Sequence, residues 1–177
     1  NVSNVNNGIL ICGPTNASDN NNGVDIGGSS ALTANTISNF GKTGTFSGYA
    51  NVSGSVFGVL VRNSINVNVS NNSISSANAG VTSGSLRGVY FPNFTNAPNG
   101  GTSANINSNV ISLISGSASG SIEGVSVESS ALNVLNTLNI NANNFTKCNH
   151  GVASPSGIIN VIISAASCTN TSISNNT

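Results

Sequence analysis

The feature that most restricts the fold of this chain is a short motif that returns at nearly constant intervals. An aliphatic residue, two others, Asn, one other and then Ile or Phe occur at Leu32/Asn35/Ile37, Val69/Asn72/Ile74, Ile106/Asn109/Ile111 and Ile140/Asn143/Phe145. A fifth copy opens at Ile173 and Asn176 and stops at Thr177. The five asparagines are 37, 37, 34 and 33 residues apart. Asparagine is so abundant here, 34 of 177 residues, that one match carries little. Five in step, each with an aliphatic residue three positions earlier, make a repeat.

A second element precedes each asparagine, a Gly followed by a short and mostly apolar run. These begin at Gly8, Gly58, Gly88, Gly124 and Gly151, and lie 27, 14, 21, 19 and 25 residues before their asparagines. Two fixed elements are thus joined by connections of variable length. Each unit reads as strands of three to five residues between Gly, Asn and Ser turns. The apolar residues three before and two after the asparagine are five apart, which on a straight strand puts them on opposite faces. If both are to point inward, the chain must bend at the asparagine, a residue that tolerates left-handed backbone geometry. Stacked units then bring Asn35, Asn72, Asn109, Asn143 and Asn176 into one column at the strand spacing of about 4.8 Å, with amides bonding along it. The expected fold is all-β, a parallel solenoid whose units bury their apolar faces only against neighbours.

Composition agrees and narrows the partners. Asn, Ser, Gly and Thr number 34, 31, 20 and 13, strong helix formers are scarce, and charged residues are 5% against about 25% in an ordinary domain. Lys42, Arg62, Arg87 and Lys147 are the only fixed positive charges, too few to neutralise a run of phosphates or to hold a membrane surface. No apolar run is long enough for a spanning helix, so neither nucleic acid nor membrane insertion is expected. The Asn-x-Ser/Thr triplets are as frequent as this composition produces by chance. The 13 threonines do not line up between units as an ice-binding row would require.

The stretch from Gly23 to Asn39, with Ile26-Gly27-Gly28 ahead of Asn35-Thr36-Ile37-Ser38, resembles the repeat of right-handed parallel β-helix proteins of the pectate-lyase-like superfamily. Its Asn- and Ser-rich loops are similar to those of long repetitive surface proteins of Bacteroidota exported by the type 9 secretion system. The resemblance implies a right-handed parallel β-helix of about 4–5 coils. It leaves activity open, because the superfamily includes lyases, hydrolases, tailspikes and adhesins.

Enzymes on this fold cluster their acids, since one carboxyl protonates a leaving oxygen while another activates water or attacks carbon. This chain has Asp19, Asp25, Glu123 and Glu128. Only Glu123 and Glu128 could be near each other, and five positions along a strand favours opposite faces. No catalytic, cofactor or metal site is therefore expected. The residues just before the repeat glycines are Phe57, Arg87, Glu123 and His150, which places Arg87 and Glu123 one rung apart with His150 on the next. Such a trio would either bind a polar ligand or form a ladder pair that fixes register, and we take the latter. His150 lacks the further ligands of a zinc site. Cys12, Cys148 and Cys168 form an odd set; Cys148 and Cys168 could close a disulfide or stand unpaired at inward positions.

Residues 1–177 are thus expected to form a single β-helix segment, uncapped at both ends and part of a longer solenoid. The expected role is that of a non-catalytic, secreted or cell-surface, adhesin-like shaft. Its partners would be the remainder of the same solenoid and, through variable loops at 41–57, 77–87 and 92–103, cell-surface glycans or export and surface-assembly proteins. The competing expectation is a carbohydrate-active enzyme, a polysaccharide lyase or glycoside hydrolase, whose catalytic coils lie outside this segment.

Overall fold

Short β-branched runs between turn residues become strands that all run parallel. The structure, a computed structural model, describes residues 1–13, 21–41, 54–78, 80, 84–92, 103–128, 134–165 and 167–177. The variable loops lie largely outside these residues, as do Asp19 and Lys42.

Three five-stranded parallel sheets form the walls of the molecule. Sheet one contains, in spatial order, β1 (Val2–Ser3), β5 (Thr36–Phe40), β9 (Ser73–Ser76), β12 (Val110–Ser115) and β15 (Asn144–His150). Sheet two contains β2 (Ile9–Cys12), β6 (Val56–Arg62), β10 (Leu86–Phe91), β13 (Ile122–Glu128) and β16 (Ile159–Ala165). Sheet three contains β4 (Asp25–Ile26), β8 (Val67–Ser70), β11 (Ser103–Asn107), β14 (Val134–Asn141) and β17 (Ser167–Ser174). A minor pair joins β3 (Asn21–Asn22) to β7 (Ser64–Ile65). Each coil visits sheets two, three and one in turn, giving a parallel β-solenoid of about four turns. The helical content among the described residues is one 3-10 turn, Ala31–Thr33.

The interior is built of apolar columns. Val59, Val89 and Val125 stack in sheet two, Val69, Ile106 and Ile140 in sheet three, and Ile37, Ile74 and Ile111 in sheet one, all buried. Burying each such side chain stabilises the fold by about 2 kcal/mol. Within sheet two the in-out alternation changes phase at the repeat glycine. Ile122, Val125 and Val127 of β13 all belong to the core, as do Leu86, Val89 and Phe91 of β10. A side chain at the glycine would collide with sheet one of its own coil or with the next rung: a Cβ on Gly58 would lie 2.5 Å from Ile74 Cγ2, and one on Gly88 2.5 Å from the Gly124 carbonyl oxygen.

The asparagine column forms as expected. Nδ2 of Asn35, Asn72, Asn109 and Asn143 donates to Oδ1 of the next asparagine at 3.1, 3.0, 2.9 and 3.0 Å. The same oxygens accept from the backbone N–H of the preceding rung, 2.9 Å for Asn72 and 3.0 Å for Asn109. The remaining Nδ2 hydrogen of Asn72, Asn109, Asn143 and Asn176 goes to the backbone oxygen of Ile26, Val69, Ile106 and Ile140. The left-handed residue is not the column asparagine, as the sequence reading has it, but its predecessor: Asn71, Ser108, Ala142 and Asn175 have φ of 62°, 57°, 55° and 54°. Turning the corner one residue early leaves the asparagine free to bond along the stack.

Two further expectations are corrected. Leu32, read as an inward residue, is 98% exposed in the 3-10 turn, and the core position belongs to Ile26, which pairs with Val69. Residues inserted between Ile26 and Asn35 displace the motif's apolar position. Gly151 does not open the last strand of sheet two. That strand is β16, and there Val125 pairs with Ile162, which leaves Val161 in the glycine column.

Candidate functional site

The chemistry-bearing side chains gather on the outward face of sheet two. Register pairs Arg87 with Phe57 on one side and with Glu123 on the other, and Tyr90 with Leu60 and Ser126. The Arg87 guanidinium grips the Glu123 carboxylate at two points, Nε to Oε2 and Nη2 to Oε1 at 3.2 Å. Ser121 Oγ donates to the same Oε1 at 2.9 Å and is itself 2.7 Å from Ser85 Oγ. Glu123 is 5% exposed, and these partners supply the hydrogen bonds that water would otherwise make to it.

An aromatic layer supports the pair. The rings of Phe57 and Tyr90 stack with centroids 5.3 Å apart and planes 7° from parallel. The Arg87 guanidinium carbon lies 4.3 Å from the Tyr90 centroid, a cation held over a π face. Tyr90 donates its hydroxyl to Glu128 Oε2 at 3.0 Å, and Ser126 Oγ donates to Glu128 Oε1 at 3.3 Å. Burial pushes the Tyr90 phenol above its ordinary value, and the Glu128 carboxylate beside it pushes the same way.

This geometry joins two acids that the sequence reading separated. Glu123 and Glu128 share the outward face, because the change of phase at Gly124 offsets the odd spacing between them. Arg87 and Glu123 occupy adjoining rungs as expected. His150 does not follow them. Glu123 pairs with Asn160, whereas His150 ends β15 in sheet one opposite Ser115. Its Nδ1 donates to the Ser117 carbonyl oxygen at 2.7 Å, while its Nε2 and Asn149 Oδ1 are buried without a partner among the described residues. The missing glycine in the last sheet-two strand was the available sequence signal.

Cys12, Cys148 and Cys168 are all free thiols, so the Cys148–Cys168 disulfide does not form. Cys148 lies on β15 of sheet one and Cys168 on β17 of sheet three, and each packs against the core. Burial raises both thiols above the ordinary value. Asp25, the other described acid, accepts from the Gly28 N–H at 3.1 Å and from Asn68 Nδ2 at 2.7 Å. Among the described residues no group of three or more His, Cys, Asp and Glu side chains could hold a metal ion.

No family model, curated protein or solved structure matches the chain.

Proposed function

We propose that the chain is a non-catalytic shaft segment of a secreted or cell-surface protein, adhesin-like in role. The observation that supports this reading is the state of the three described acids. Glu123 is held by Arg87 and Ser121, Glu128 by Tyr90 and Ser126, and Asp25 by Gly28 and Asn68. A general acid or nucleophile needs a carboxyl free to meet substrate. These three instead join neighbouring coils or fix turns.

The finer assignment follows from the sequence resemblance: a right-handed coil of pectate-lyase-like type, one segment of a longer solenoid, exported by a type 9 route. Its partners in this reading are further coils and surface glycans. Incubation with neutral and acidic polysaccharides tests the non-catalytic part. Reducing ends and unsaturated uronate products should stay at the level of an E123Q/E128Q variant. Product release by the native chain that this variant abolishes would make the segment an enzyme.

A further inference from the structure

We propose that the outward face of sheet three binds an uncharged, polyhydroxylated polysaccharide presented as an ordered surface or fibre. In-out alternation runs along β8, β11 and β14, with Val67, Val69, Ala104, Ile106, Leu138 and Ile140 buried and only Ser70, at the end of β8, buried out of turn. Register therefore aligns small polar residues outside. One column runs Asp25, Asn68, Asn105, Asn139 and Ser172, and a second runs Asn107, Asn141 and Ser174, with the buried Ser70 beneath it. Spacing is about 4.8 Å between rungs and roughly 6.6 Å between columns, set by the sheet itself.

The amides on this face are already oriented. Asn141 N–H donates to Asn107 Oδ1 at 3.0 Å, and Ser174 N–H to Asn141 Oδ1 at 2.9 Å. A backbone N–H demands an oxygen, so these bonds decide which way each amide is turned. Asn139 Nδ2 likewise donates to Asn105 Oδ1 at 2.7 Å. With their oxygens engaged inside the sheet, the Nδ2 groups of Asn105, Asn107 and Asn141 donate to nothing among the described residues. The face thus offers a fixed row of donors whose ordering cost is already met by folding.

The matching partner is an array of neutral oxygen acceptors at regular intervals. Hydroxyl, ring and glycosidic oxygens of a polysaccharide supply such an array. An anionic polymer is a poor match, because among the described residues the face carries no cation and ends on Asp25. The proposal rests on the shaft reading only for access to such a material; the surface itself does not depend on it.

Depletion of the 177-residue chain from solution by insoluble cellulose and by chitin, with soluble polygalacturonate as competitor, tests the proposal. The variant N105D/N107D keeps the accepting oxygens and removes two outward donors. N144D/T146D adds the same charge to exposed positions of sheet one. Wild type and N144D/T146D should bind at least one of the solids, with N105D/N107D about tenfold weaker at unchanged circular dichroism. Undiminished binding by N105D/N107D, equal loss in the control, displacement by polygalacturonate, or no binding to either solid would overturn it. None of these outcomes alters the cleavage assay on which the shaft reading stands.

Discussion

At the scale of single residues, polar groups hold this protein together by bonding between coils. Asn109 shows how much depends on one amide. It is 0% exposed, accepts from the N–H and Nδ2 of Asn72, and donates to Val69 O and to Asn143 Oδ1. Asn109→Ala strands buried donors and acceptors on both sides, and the expected loss in denaturant unfolding is about 3 kcal/mol or more. Asn144→Ala, one residue past the next column position and exposed, should change little. Tyr90 gives a pH dependence of known sign. Its phenol ionises less readily in the folded chain than in the unfolded one, so the folded state holds that proton more tightly above about pH 10. Stability from this group is complete below that pH and is lost as pH rises through the folded value. Tyr90→Phe should flatten the alkaline fall in unfolding free energy. The comparison belongs in a background with Cys148 and Cys168 replaced by Ser, because both thiols are shifted the same way.

Strands and corners add the second level of control. Glycines of sheet two admit the side chains of sheet one and reset the alternation, so Glu123, Tyr90 and Glu128 meet on one face. Gly88→Ala drives a Cβ against the Gly124 carbonyl and should cost about 1–3 kcal/mol in thermal or chemical unfolding. Gly54→Ala, with open space at that position, should be close to neutral. The repeat itself was legible in the sequence: all five column asparagines, the parallel stacking and the Arg87–Glu123 adjacency follow from spacing alone. Other features were not, for separate physical reasons. Leu32 matches the motif but sits in an insertion, and Gly151 matches the glycine element but follows the last residue of a strand of sheet one. The shared face of Glu123 and Glu128 needs a phase change that simple alternation does not contain. The cysteines are 20 residues apart in sequence, but lie on different walls of the coil.

For the molecule as a whole, burial is a property of the stack. Ile140 is 0% exposed, while Ile173, its partner on the outermost strand of sheet three, is 45% exposed despite occupying the same register position. Low charge and high Asn, Ser and Gly content suit this architecture, in which backbone ladders and amide columns do what ion pairs and a central core do elsewhere. Everything else, including the acid cluster on sheet two and the donor face on sheet three, depends on coils stacked in one register. The most direct measurement is oxidative cross-linking of V110C/N144C with the three native cysteines replaced by Ser. Val110 and Asn144 are direct partners on β12 and β15 and are 34 residues apart in sequence. Parallel neighbours stand at a separation that a disulfide spans. The stack predicts complete closure under native conditions, with unchanged β-sheet circular dichroism and a raised unfolding midpoint. Closure only in denaturant, or loss of the β signal on closure, would contradict the register and with it the solenoid.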